Sequence, residues 1–291
     1  MGHPPTRHGS RRRNLLRQTF DRRVDREWKR YSGEPKRVLR RVLRERFVRK
    51  HIRNSRGVIL ELGSGPGRFT PILRGRSGVR VVAVDLSRES LRSGRRHAPR
   101  MASRSSIDWV QAAGECLPLV SGSVDVAVVL GNIVSFAATD GAVLLDELNR
   151  VVRRRGLLVV DFASPAGAMQ EFFQVASERR LLPRVLRRPR YFFVDRILDT
   201  GFQPYAPNRL ASWDFQFYTM EEAVQALRHA GFGVIDAMCV APIAAHQNRV
   251  AAIAYREKRT WESLLRIEER VGRRPGAFEG GHGFVLAAIR K

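Results

Sequence analysis

Residues 58–70, Val-Ile-Leu-Glu-Leu-Gly-Ser-Gly-Pro-Gly-Arg-Phe-Thr, constrain this chain more than any other stretch. Val58, Ile59 and Leu60 are a short apolar run bounded by glycine, the pattern of a strand buried on both faces of a parallel sheet. The run leads into Gly63, Gly65 and Gly67, which alternate with other residues. Glycine lets a backbone turn sharply and leaves no side chain between it and a ligand. A helix is expected from Arg68 or Phe69, with its free N–H groups aimed into the loop. Strand, glycine loop and helix open a doubly wound α/β fold that binds a nucleotide at the carboxyl ends of its strands.

The spacing is Gly-x-Gly-x-Gly, not the Gly-x-Gly-x-x-Gly of a dinucleotide site. Glu61 brings a carboxylate to the loop, which repels a pyrophosphate and suits an ammonium or sulfonium group. In these residues the chain resembles the class I S-adenosylmethionine-dependent methyltransferases, in their small-molecule, "type 11"-like branch. The first motif of that superfamily joins such an acid to such glycines. The resemblance runs over roughly residues 56–161 and again over 219–291. It implies a mostly parallel, seven-stranded, Rossmann-like sheet and S-adenosyl-L-methionine as methyl donor. It also implies a cofactor site that includes Glu61, Gly63, Ser64, Gly65 and Gly67.

Later segments extend the resemblance. Gly78–Asp85 is expected as a second strand, and Asp85 follows the glycine loop by about 20 residues, the distance of a ribose-binding acid. With Leu86 beside it, Asp85 would accept hydrogen bonds from both ribose hydroxyls; the alternative is a cap for the helix starting near Ser87. Ile107–Gln111 is the third strand. Ala112–Leu119 resembles the segment that reads adenine, but Ala113 stands where the family often has Asp. Glu115, or backbone groups at Ala113 and Gly114, are the substitutes. Ser123–Leu130 is the fourth strand, which puts Leu130 and Asn132 beside the reactive methyl. Asn132 either bonds cofactor or acceptor or only shapes the turn. Asp140 is expected to cap the next helix and Gly156 to end it, with Leu157–Asp161 as the fifth strand. Thr219 and Glu222 form a capping box for a helix closed by Gly231. A sixth strand starts at Gly233, residues 248–271 are helical, and Phe284–Ile289 is a last strand that the resemblance makes antiparallel.

Four segments follow. Residues 1–55 form a basic extension, in which 1–13 offer nothing to bury and 35–53 form an amphipathic helix with arginines on its outer face. That helix is either packed on the domain or a basic cap over the cofactor cleft. Residues 56–161 are the cofactor-binding half, 162–218 a lid over the acceptor, and 219–291 the remainder of the core. The lid is rich in aromatics, among them Phe172, Tyr191, Trp213, Phe215 and Phe217, and holds the basic run Arg179–Arg196. It is a satellite core, a pocket for an apolar or aromatic acceptor bearing an anionic group, or a surface that stacks bases while arginine holds phosphate.

The net charge is +25, yet only five of the 53 basic residues are lysine, which points to codon bias as well as to a polyanionic partner. Residues 1–56 hold 20 Lys/Arg against 5 Asp/Glu, an asymmetry that attracts RNA or an anionic surface. Residues 111–149 hold no Lys or Arg. The two cysteines form neither a metal set nor a disulfide framework, no apolar run is long enough to span a membrane, and a cytoplasmic protein is expected. Neither the Asn/Asp-Pro-Pro-aromatic signature of base N-methylation nor a Pro-Cys nucleophile is present at the fourth strand. Transfer to a small-molecule or lipid-like acceptor is therefore the leading expectation. An RNA methyltransferase and a non-catalytic cofactor-binding module are the alternatives. Displacement at a sulfonium needs alignment more than proton transfer. His246, His282 and Tyr205 are candidate bases if one is used, and no metal site is expected.

Overall fold

The strands whose apolar runs lack a polar face, Gly57–Leu62 and Val124–Val129, lie in the middle of the sheet. In this computed structural model, which describes residues 7–30, 32–74, 78–98, 106–178, 180, 182–183, 192–204, 213–244 and 247–291, the strands are β1 (Gly57–Leu62), β2 (Val79–Asp85), β3 (Ile107–Gln111), β4 (Val124–Val129), β5 (Val152–Ala163), β6 (Phe202–Gln203), β7 (Phe215–Gln216), β8 (Phe232–Cys239) and β9 (Gly283–Arg290). Seven of them form one sheet in the order β3-β2-β1-β4-β5-β9-β8. The pairings among β1–β5 are parallel, and β9 is antiparallel to both β5 and β8. This is the expected seven-stranded, mostly parallel Rossmann-like sheet. Strand order reverses between β1 and β4, and in open α/β sheets the ligand crevice opens there.

Alternation along the strands sorts side chains into two cores. Leu60, Val82, Ala127, Val129 and Leu158 face one side, packed under helix α7 (Gly141–Val151). Ile59, Val81, Val126, Val128 and Val159 face the other, covered by Leu39, Leu43, Phe47, Val48 and Ile52 of helix α3 (Pro35–Ile52). Each such side chain contributes about 1.5–3 kcal/mol by leaving water. Pro35 occupies the first turn of α3, where its missing N–H costs nothing.

Several expectations are corrected here. Residues 7–13 are not left unfolded; they begin α1 (Arg7–Arg22), which α2 (Val24–Lys29) follows. The reason is that Leu16 and Thr19 of α1 are buried and Arg12 finds two acids. On α3, Arg40 and Arg44 are buried rather than solvated. The helix after the glycine loop, α4 (Thr70–Leu73), starts later than expected and has only four residues. Helix α7 ends at Val151, not at Gly156, and the chain passes straight into β5. Gly156 is required inside β5 because a Cβ there would lie 2.6 Å from Val152 Cγ1 and 2.7 Å from the Arg153 carbonyl oxygen. Asp140 makes no side-chain cap to α7; its carboxylate goes to Arg12 instead. Residues 248–271 divide into two helices, Asn248–Tyr255 and Lys258–Gly272. The capping box at Thr219 and Glu222 is formed, and Gly231, at φ +81°, follows the end of that helix.

In the aromatic-rich insertion, α8 (Pro165–Glu178) and the β6–β7 hairpin enclose a small core of Ala163, Met169, Ile197, Phe215 and Phe217, with Trp213 and Phe136 against it. Most of the Arg179–Arg196 run, Tyr191 and Tyr205 lie outside the described residues. Among the described residues no helix is long and apolar enough to cross a membrane.

One buried charge pair joins α3 to the crevice. Arg44 donates from Nε to Asp161 Oδ2 at 2.7 Å, with the two side chains 5% and 0% exposed. Asp161 Oδ1 accepts the Asn132 N–H at 2.7 Å and so fixes the turn after β4. Removing one member of a buried pair strands the other charge, at a cost of about 3–5 kcal/mol. Asp161→Ala should therefore lower unfolding free energy by about that amount. The Arg44→Met/Asp161→Leu double variant should recover much of it. Urea unfolding measures both; a double variant no more stable than Asp161→Ala would refute this account of the pair.

Candidate active site

The loop between β1 and α4 is a turn that only glycine tolerates at three positions. Gly63, Gly65 and Gly67 have φ of +71°, +52° and +81°. The loop is stitched to the end of β2: the Val84 carbonyl accepts the N–H groups of Gly63 (2.8 Å) and Ser64 (3.0 Å). Gly65 N–H donates to Asp85 Oδ2 at 2.7 Å, and Gly67 N–H to the Ser64 carbonyl at 3.0 Å. These amides are consumed within the protein, so they form no cradle for a phosphate. The expected fan of free N–H groups at the helix start is absent from them, and the four-residue α4 adds little dipole.

Two acids lie beside this loop in different settings. Asp85 lines the cavity; its Oδ1 accepts the Ser87 N–H at 2.8 Å, and each oxygen keeps a further lone pair. The cap of helix α5 (Arg88–His97) is Ser87, whose Oγ accepts the Ser90 N–H at 3.0 Å. Burial pushes the Asp85 carboxyl up to about 6, the Ser87 and Gly65 N–H groups opposing it and Asp21 and Glu27 adding to it. Glu61 is buried beneath the cavity wall rather than part of it, and it accepts the Thr70 Oγ1–H at 2.6 Å. Burial raises its pKa to about 8, Thr70 opposing and Asp85 adding. Burial thus makes Glu61 hold its proton well above the usual carboxylate range, and it acts on a ligand only across the loop.

Gly63, Ser64, Gly65, Asp85, Leu86, Ala113, Gly114, Glu115 and Leu130 are brought together in one cavity wall. Gly67 and Asn132 are not in that wall. Asn132 sits in the left-handed region at φ +62°, between the wall residues Gly131 and Ile133, and its Oδ1 is buried without a partner. Glu115 Oε1 accepts from Arg12 at 3.0 Å. His282 lies outside the wall, 3.0 Å from Arg40 Nη1 through Nε2 and 3.8 Å from Glu171 through Nδ1. His246 and Tyr205 lie outside the described residues. Among the described residues no group of three or more His, Cys, Asp or Glu is placed to hold a metal ion.

Sequence reasoning missed the roof. Helix α3 does not cap the cleft; α1 and α2 do, through Arg13, Leu16 and Phe20 and through Glu27 and Arg30. The signal was Leu16 and Phe20 at helical spacing inside a stretch dominated by its arginines. Three ties hold the roof down. Arg12 bridges Glu115 and, at 2.6 Å, Asp140. Asp21 accepts from Ser87 Oγ at 2.6 Å and from the Glu89 N–H at 3.3 Å. The Trp28 ring stacks on His97 (centroids 3.6 Å apart), and the Arg68 guanidinium lies 4.2 Å from its centroid. Arg68 also donates to the Trp28 carbonyl. Also in the cavity wall, Phe20 meets Phe136 edge-on at 5.5 Å, and it stacks on Trp213 at 6.0 Å.

The raised acids set a pH dependence. A carboxyl whose pKa rises on folding holds its proton longer in the folded chain than in the unfolded one. Stability from such a group falls as pH climbs from its unfolded pKa to its folded pKa, then levels off. For Glu61 that window runs from 4.5 to about 8. Glu61→Gln should flatten the decline of unfolding free energy across this window, measured by urea titrations at several pH values. An unaltered slope would mean Glu61 titrates like an exposed carboxylate.

Comparison with known proteins agrees with this geometry. Residues 60–160 match a family model described as a methyltransferase domain. The trans-aconitate 2-methyltransferase of Azoarcus sp. (strain BH72) is 36% identical over 103 residues, which are 35% of this chain and 37% of that enzyme. The chain thus spans little more than a third of the length of that curated relative. The structure of Burkholderia thailandensis 1,6-didemethyltoxoflavin-N1-methyltransferase, with 1,6-didemethyltoxoflavin and S-adenosylhomocysteine bound, superposes at a TM-score of 0.57 and 17% identity, over 100% of this chain and 93% of that one. Magnesium protoporphyrin IX methyltransferase from Synechocystis PCC 6803, with S-adenosylhomocysteine bound, gives 0.56 and 12% over 96% and 99%. These two likenesses speak for the fold. Residues 60–160 therefore match a methyltransferase domain, set in a fold shared with those enzymes.

Proposed function

We propose that this chain is an S-adenosyl-L-methionine-dependent methyltransferase acting on a small-molecule acceptor. The observation that carries this is the polar inventory of the cavity. The loop amides are spent internally, which leaves no phosphate cradle. Ser64 is buried with its Oγ unpartnered in the cavity wall, and Asp85 keeps lone pairs there. A hydroxyl donor and a carboxylate in that place fit a ribose and a cationic amino-acid tail, not a pyrophosphate. When bound, the donor supplies a methyl group on a cationic sulfur, open to in-line displacement.

The chain's own residues have three tasks. Asp85 accepts from ribose hydroxyls and, when ionised, its charge favours the cationic donor. Backbone groups near Ala113 and Gly114 meet the base, because Arg12 already holds Glu115. Leu62, Leu130, Ile133 and Phe136 keep water from the reacting centre, where orientation provides most of the rate. No general base is required in this reading. His282 is engaged with Arg40 and Glu171 and lies outside the wall. An apolar roof of Leu16 and Phe20 over the crevice supports a free small molecule as acceptor. So do the small molecules in the names of the trans-aconitate and 1,6-didemethyltoxoflavin enzymes.

Calorimetry tests the reading. S-adenosylmethionine and S-adenosylhomocysteine should both bind, and heat from neither would sink the proposal. Asp85→Asn should weaken binding by about tenfold or more, the worth of a charge-assisted hydrogen bond. Affinity of the unaltered protein should rise as pH passes about 6, where Asp85 ionises, and the variant should lose that rise.

A further inference from the structure

The cavity's charges do not balance within the protein. Arg12 bridges Glu115 and Asp140. Arg30 pairs with Glu27 at 3.2 Å. Arg68 is taken up by Trp28 and by Ser32 Oγ. Arg13 also lines the cavity, half-buried, and among the described residues it makes no hydrogen bond, ion pair or ring contact. A guanidinium brought part-way out of water without a partner is a cost unless a ligand supplies the anion.

Its position on α1 says what else that ligand contains. Arg13, Leu16 and Phe20 fall at i, i+3 and i+7, one stripe of the helix, and all three line the cavity. Arg13 and Phe20 are about 10 Å apart along the helix axis at 1.5 Å per residue. Phe20 meets Phe136, which also lines the cavity, and Trp213 behind it. The residues proposed for the donor come instead from the loops after β1, β2 and β3. From this stripe we infer that α1 selects the acceptor, and that the acceptor class is an elongated apolar or aromatic molecule bearing a carboxylate or comparable anion held by Arg13. This rests on the methyltransferase reading and adds to it the class of acceptor. Arg13 fixes the anionic end, while Leu16, Phe20 and Phe136 hold the body against the crevice.

The test uses the full chain saturated with S-adenosylhomocysteine. The probes are phenylpropionate, naphthylacetate and octanoate, each beside its neutral carboxamide, with affinities from calorimetry. At least one acid should bind about tenfold or more tighter than its amide, as a guanidinium–carboxylate contact provides. Arg13→Gln should abolish that preference and Arg13→Lys should keep part of it. Affinity for S-adenosylhomocysteine should stay within about twofold, because the inference gives Arg13 to the acceptor and not to the donor. Acids that fail to bind, or bind no better than their amides, would overturn the inference, as would a preference that survives Arg13→Gln. A third result would also overturn it: Arg13→Gln weakening S-adenosylhomocysteine but not methylthioadenosine, which lacks the amino-acid tail. That pattern would give Arg13 to the donor's own carboxylate. Failure of the underlying methyltransferase reading is separate, since the unaltered protein would then bind neither S-adenosylmethionine nor its demethylated product.

Discussion

The whole crevice depends on how the backbone amides after β1 are satisfied. In phosphate-binding loops the turn leaves N–H groups open and a helix N-terminus completes the cradle. Here the same strand–turn–helix order ends differently. Val84 and Asp85, at the end of the neighbouring strand, take up Gly63, Ser64 and Gly65, and α4 is a single turn. The outcome is a turn that is rigid because it is hydrogen-bonded, yet anion-averse because its donors are used. Below it Glu61 is buried with its pKa raised, so the charge that favours a cation is that of Asp85 beside it once ionised. One change of bonding pattern thus separates this site from a dinucleotide site, although both begin with a strand and a glycine turn.

Buried charge organises the protein more than its surface charge suggests. A chain with 53 basic residues could leave them all in water. Instead Arg44 is buried against Asp161, which holds the turn before α6 (Ile133–Ala137) through Asn132. Asp236 gathers Lys50, His51 and Arg273 at 2.7–2.9 Å, tying the end of α3 and the helix Lys258–Gly272 to the edge strand β8. These neighbours hold the Asp236 carboxyl below its ordinary range despite its partial burial. Replacing such pairs with apolar groups is often harmless or better for stability. Their use here fits a positional role: each fixes a loop or helix end that borders the crevice or closes the sheet.

Much of the core was legible because its signals are local. Buried parallel strands show as apolar runs, and the Thr219–Glu222 capping box needs only its own four residues. Gly63, Gly65 and Asp85 were legible for the same reason, since turn geometry and strand ends dictate them. The failures have a common cause. Arg40 and Arg44 look solvated on a helical wheel, and only the fold brings Glu171 and Asp161 to them. Asp140 resembles a helix cap until Arg12, 128 residues away, claims its carboxylate. Gly156 resembles a helix stop, but the register of β5 against β4 turns it into a strand residue. The misread charged side chains each have a partner distant in sequence, and Gly156 is set by the strand it falls in.

The acceptor end is the extreme case of that rule. The wall proposed for it comes from α1 and α6, backed by ring contacts to Trp213 and Phe215 of the insertion, three segments with no sequence pattern in common. The donor site proposed for this chain, by contrast, is built from consecutive turns of one sheet. A donor site of that kind changes little when surface segments are exchanged. An acceptor wall made from an extension and an insertion can be remade without disturbing the sheet. It follows that likeness over residues 60–160 informs about the donor and is nearly silent about the acceptor. Acceptor choice must be argued from the roof itself, where a bare guanidinium and two apolar side chains share one helical face.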